Sequence, residues 1–80
     1  MDYLALMSKM INKLSDKGYD QYSEEIEMLM KLAMTSTELL MTVTHRFQQI
    51  AKSQTAVEKL IGNELKILRD YCATIGLLIE

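Results

Sequence analysis

No proline occurs anywhere in this chain of 80 residues, and glycine occurs only three times. Proline breaks helices and punctuates loops. Its absence removes the commonest bar to long helix and argues against a loop-rich fold. Cysteine is present once, as Cys72, so an internal disulfide is excluded and a reducing, cytoplasmic setting is the simplest expectation. One histidine and one cysteine cannot assemble a structural zinc site within the chain.

Motifs of chemistry are missing as well. There is no G-x-G-x-x-G, no G-x-x-x-x-G-K-[ST], no C-x-x-C and no H-E-x-x-H, nor the E-x-x-H pairs of a di-iron bundle. No catalytic, cofactor-binding or metal-ligating residue is therefore assigned, no cofactor is expected, and the chain reads as a non-enzyme. Charge of one sign is also lacking. The net charge is -2 and the pI about 5.3, which is not the balance of a strongly basic nucleic-acid binder. No basic stretch precedes an apolar run near Asp2, so the N-terminus does not read as a signal peptide. The apolar tail "YCATIGLLIE" falls far short of the roughly 20 residues that span a bilayer. No membrane partner is expected.

What is present is a hydrophobic fraction of 49%, enough for one globular domain. Its arrangement is helical throughout. Tyr3, Met7, Met10 and Leu14 recur on one stripe of a 3.6-residue period, widened by Leu4 and Ile11, and predict a helix over about 2–17. Gly18 follows as a left-handed stop. A second helix is predicted over 20–34, capped by Asp20 or Ser23, with Glu24 and Glu25 in its first turn where negative charge suits the helix dipole. Tyr22, Ile26, Leu29 and Ala33 form its stripe. Seven of the nine residues from Ile26 to Met34 are apolar, too many for a helix with one face in water. This helix is expected either to lie between neighbours or to carry a partner surface.

"MTSTELL" is the clearest start signal. Thr35 and Glu38 have capping-box spacing, and Met34 and Leu39 occupy the positions of a hydrophobic staple. From there a seam runs in alternating threes and fours through Leu40, Val43, Phe47, Ile50, Gln54, Val57, Ile61, Glu64, Leu68, Tyr71, Ile75 and Leu78, and its phase never slips. The opposite column, His45, Lys52, Lys59 and Lys66, is polar throughout. The unbroken phase predicts one amphipathic, coiled-coil-like helix over 36–78, roughly 60 Å long. A second capping-box match at Thr55 and Glu58, and Gly62–Asn63, mark 52–55 and 62–63 as the places where it would kink or break.

The expected fold is all-α: a short helical hairpin followed by a long amphipathic helix. So long an apolar stripe needs a second surface, and a homodimer or higher oligomer supplies it most economically. The twelve seam residues are the self-association candidates. Gln54 and Glu64 lie symmetrically about position 59, so an antiparallel pair centred there would set one against the other. A wet edge or a charged neighbour in the same chain would also account for both.

All seven methionines fall within residues 1–41. Met28, Met30, Met34 and Met41 cluster around the second helix and the start of the third. They read either as core filling or as an adaptable surface for an unidentified protein partner. His45 reads as a solvated surface residue, Cys72 as a small buried hydrophobe, and Glu24, Glu25 and Glu27 as a solvated helix start. The leading function is a protein–protein interaction module: an assembly factor, adaptor, chaperone or inhibitor acting through helix-bundle contacts. The alternative is a small nucleic-acid-associated regulator using the Lys52, Lys59 and Lys66 column of a dimer, joined by Arg46 and Arg69, although Glu58 and Asp70 interleave with it. The three glutamates that open the second helix argue against a helix-turn-helix reader, because phosphates would repel them.

Overall fold

The helix starts and stops are set by local chemistry. In a computed structural model, which describes residues 1–77, α1 spans Tyr3–Asp16 and is capped by Asp2, whose Oδ1 accepts the Ala5 N–H at 3.0 Å. It ends where Gly18 takes the left-handed conformation, φ +86°. The Tyr19 N–H reaches the Leu14 carbonyl and the Gly18 N–H reaches that of Ser15, which closes a Schellman motif. The helix α2 covers Asp20–Leu32. Its N-cap is Tyr19, not Asp20 or Ser23; the Ser23 hydroxyl instead donates to the Ile11 carbonyl at 3.1 Å, tying α2 to α1.

Three residues, Ala33, Met34 and Thr35, lead into α3, Ser36–Ser53. Thr35 caps it as its spacing predicts, with Oγ1 accepting the Glu38 N–H at 3.1 Å. The staple does not form: Met34 is 86% exposed, so it packs against little.

The long helix is not continuous. Gln54 adopts extended backbone, φ -139° and ψ 111°, and α4 begins at Thr55 and runs to Thr74. The break comes one residue before the Thr55–Glu58 match, and α4 has no side-chain cap. Gly62 does not stop the helix. Gly76 does, with φ +87° and a second Schellman motif in which the Leu77 N–H reaches the Cys72 carbonyl at 2.8 Å. Ile75 therefore lies past the end of α4, 47% exposed, rather than on a continuing seam. Leu78 lies outside the described residues.

The four helices form an up-down-up-down ring. Lys13 of α1 meets Leu60 and Glu64 of α4, while Tyr3 stacks on Tyr71 at 5.8 Å between centroids, so α1 and α4 run oppositely. Tyr22 meets Gln54 and Glu25 meets Arg46, so α2 and α3 do too. Thr44 Oγ1 lies 3.8 Å from Cys72 Sγ because α4 doubles back along α3. Among the described residues the helix backbones approach one another only around the ring, α1 to α2, α2 to α3, α3 to α4 and α4 to α1. The radius of gyration is 11.5 Å, against about 11.6 Å expected for a compact 80-residue domain. The longest extent is 32 Å, half the length of the helix that the seam predicts.

Every helix contributes to one core. Met7, Met10 and Leu14 come from α1, Ile26 from α2, Leu40, Val43, Phe47 and Ile50 from α3, and Val57, Ile61, Leu68 and Cys72 from α4, all at or near complete burial. Gly62 is helical, and a Cβ built on it would meet nothing within 4 Å. Gly62→Ala is therefore expected to stabilise the fold by about 0.5–1 kcal/mol, read from the urea midpoint at unchanged slope. A destabilised variant would show that this face of α4 is occupied in solution.

Candidate functional site

The seam is the core of one chain. Leu40, Val43, Phe47, Ile50, Val57, Ile61 and Leu68 are buried between α3, α4 and their neighbours, and Tyr71 is half-buried against Tyr3. The second surface that the stripe needs is its own other half, folded back at Gln54. The two polar seam residues have partners in the same chain. Gln54 Nε2 donates to Tyr22 Oη at 2.6 Å. Glu64, 6% exposed, accepts from Lys13 Nζ at 2.7 Å, with Lys9 Nζ at 3.8 Å. Burial alone would raise the Glu64 carboxyl. The bonds from Lys13 and from its own backbone N–H, with the charges of Lys13 and Lys9, outweigh that and hold it below the ordinary carboxylate value.

The lysine column is divided. Lys52 ends up on α3 and Lys59 and Lys66 on α4, and the helices between them turn back on each other. Arg46 is engaged: its guanidinium grips Glu25 with two bonds, 2.6 and 3.0 Å, which raises its pKa. Lys66 and Arg69 line a surface groove of about 580 Å³ along α4, together with Glu58 and Asp70, so charges of both signs face it. His45 is exposed and Cys72 buried, as expected. Gln48 Oε1 is the one buried side-chain polar atom without a hydrogen-bond partner among the described residues, a burial that costs about 1–3 kcal/mol.

The methionines sort by helix. Met7 and Met10 are core; Met28, Met34 and Met41 are exposed, and Met30 is half-buried. Of the nine residues from Ile26 to Met34, only Ile26 is fully buried, so the apolar run is not sandwiched. Leu32 and Met34 belong to a larger feature. The start of α1, the end of α2, the start of α3 and the end of α4 share one end of the ring, by the Tyr3–Tyr71 stack, the Thr44–Cys72 contact and the three-residue α2–α3 link. Among the described residues eight large hydrophobic side chains are exposed, and six belong to that end: Met1, Leu4, Leu32, Met34, Met41 and Ile75. The other two, Met28 on α2 and Ile67 on α4, lie farther along the bundle at about one level, as the Ser23–Ile11 bond and the Tyr3–Tyr71 stack set the register. The opposite end, around Gly18 and Gln54, has none. Met34 and Met41 are legible in the sequence as members of the methionine cluster; Leu32 is not, although it follows Met28 at i+4, and Leu4 and Ile75, which the pattern places on the core stripe and the seam, are exposed instead.

Among the described residues no helix is long and apolar enough to cross a membrane. In comparisons with protein-family models, curated proteins and solved structures, the chain matches none.

Proposed function

We propose that this chain is a non-enzymatic protein–protein interaction module whose docking face is the apolar end of the bundle. One observation carries the reading: six of the eight exposed large hydrophobics among the described residues belong to one end of the bundle, while the other end has none. Apolar side chains scattered singly over a surface need no explanation; gathered at one place, they mark a contact site. Three of the six are Met1, Met34 and Met41, whose unbranched thioethers adapt to differing partner shapes. The helix ends lie across the two shorter dimensions of the molecule, 23 and 21 Å. That span matches about four turns of helix, so the occupant is the apolar face of one amphipathic helix of another protein.

The test is position-dependent crosslinking. A photoreactive side chain at Met34 or Leu32 is expected to capture one protein in the native cells, and the same group at Lys17 or Lys52, at the opposite end, to capture none of it. Leu32→Glu with Met34→Glu should abolish binding of that protein while changing stability by no more than about 0.5 kcal/mol, since both side chains are solvated. Equal capture from both ends, or binding untouched by the two glutamates, would sink the reading.

A further inference from the structure

We infer that a second copy of this chain is a partner through exchange of α4, the bundle opening by straightening at Gln54 into a domain-swapped dimer. This exchange does not involve the docking face proposed above. Three observations lead to it.

The first is phase. Ile50, Gln54, Val57 and Ile61 step by four, three and four across the break, the spacing of one continuous helix. Two helices joined by a turn have no reason to share a seam through the joint. A straight helix from Ser36 to Thr74 keeps every core residue of α3 and α4 on one face.

The second is the backbone at the joint. The connection is a single residue, neither glycine nor proline, in extended conformation that any residue adopts. The first turn of α4 has no side-chain cap. The Val57 N–H falls back on the Gln54 carbonyl, three residues earlier. Straightening would let Thr55, Ala56 and Val57 donate to Ala51, Lys52 and Ser53 in the ordinary i to i−4 pattern. The closed form thus gives up helical hydrogen bonds that the open form makes.

The third is where the contacts fall. The Lys13–Glu64 ion pair, the Tyr3–Tyr71 stack and the Thr44–Cys72 contact all join residues before Gln54 to residues after it. Two opened copies lying antiparallel can remake each of them between chains, so the core is conserved and only the joint changes. Exchange of an identical element is a low-cost route to a dimer. The dimer would carry two helices of about 58 Å, from 39 residues each, with its Gly18 turns at the centre and its apolar ends at the two tips.

The decisive measurement uses Thr44→Cys in the full chain, which sets a second thiol against Cys72. The chain is refolded reduced at millimolar concentration, separated by size and then oxidised. The monomer fraction is expected to give a disulfide within one chain. The dimer fraction is expected to give a covalent dimer on a denaturing, non-reducing gel, and scattering should show twice the 9.2 kDa mass with a longest dimension above about 60 Å. Gln54→Leu, which extends the apolar seam, should raise the dimer fraction roughly tenfold. Four Gly/Ser residues inserted after Gln54 should abolish it by relieving the joint. Covalent monomers from the dimer fraction would mean docking without exchange. A Gln54→Leu chain that stays helical and monomeric at millimolar concentration would equally overturn the proposal, whether or not the thiol variant folds.

Discussion

Phe47→Ala is expected to destabilise the chain by about 3–5 kcal/mol, enough to leave a large fraction unfolded at room temperature. Phe47 is the largest fully buried side chain and the only phenylalanine. It belongs to a core fed by Met10 from α1, Ile26 from α2 and Ile61 from α4, so truncation leaves a cavity that no single helix can close. An 80-residue domain has about 4–12 kcal/mol of total stability, so one such cavity consumes much of it. The check is urea unfolding followed by circular dichroism at low protein concentration. Met34→Ala, at an 86% exposed position, should stay within about 0.5 kcal/mol of the parent. A Phe47→Ala cost below about 1 kcal/mol would mean that the side chain is not enclosed by its own chain in solution.

The second large effect concerns Lys13. Lys13→Met is expected to cost about 1–3 kcal/mol at neutral pH, because it leaves the buried Glu64 carboxylate without its nearest cation. Lys9, at 3.8 Å, compensates only in part. Adding Glu64→Leu should recover most of the loss, since an apolar side chain of similar size needs no partner there. The pH dependence has a definite sign. The folded chain holds the Glu64 carboxyl below its unfolded value, so the unfolded chain takes up the proton first. The pair's contribution is complete above the unfolded carboxylate range, about pH 4–5, and is lost as pH falls through the lower folded value. Glu64→Gln should flatten the acid limb of the stability profile. Lys13→Met should shift it to higher pH, because burial then opposes ionisation with less to offset it. An acid limb identical in parent and Glu64→Gln would place the pair in solvent.

The local signals were legible because they depend on a few consecutive residues. Gly18 stops α1 since only glycine takes φ +86° without strain, and Thr35 caps α3 since its hydroxyl reaches the Glu38 N–H. Gly76 acts as Gly18 does, with the Leu77 N–H closing on the Cys72 carbonyl. Its stop is masked in the sequence because Ile75 and Leu78 continue the seam pattern through it. In the candidate site, the methionine cluster was visible as composition. Which methionines face water was not, because Met7 and Met28 differ by what packs beside their helices rather than by their neighbours in the chain.

The residue pattern suffices to show that the chain is helical, where its first three helices begin, and which stripe of residues 40–71 is apolar. That this stripe closes on itself at Gln54, where α4 begins, is an outcome of packing that no local pattern carries. Periodicity is a property of one helix and is the same whether the facing surface belongs to the same chain or another. Bending at Gln54 gives up about three backbone hydrogen bonds, worth some 0.5–1.5 kcal/mol each. It buries two half-seams, at about 1.5–3 kcal/mol per large apolar side chain, without the entropy cost of bringing two molecules together. Folding back therefore wins within one chain. The same comparison placed Glu64 beside Lys13, 51 residues away, and gathered the exposed apolar side chains of four helix ends at one end of the bundle.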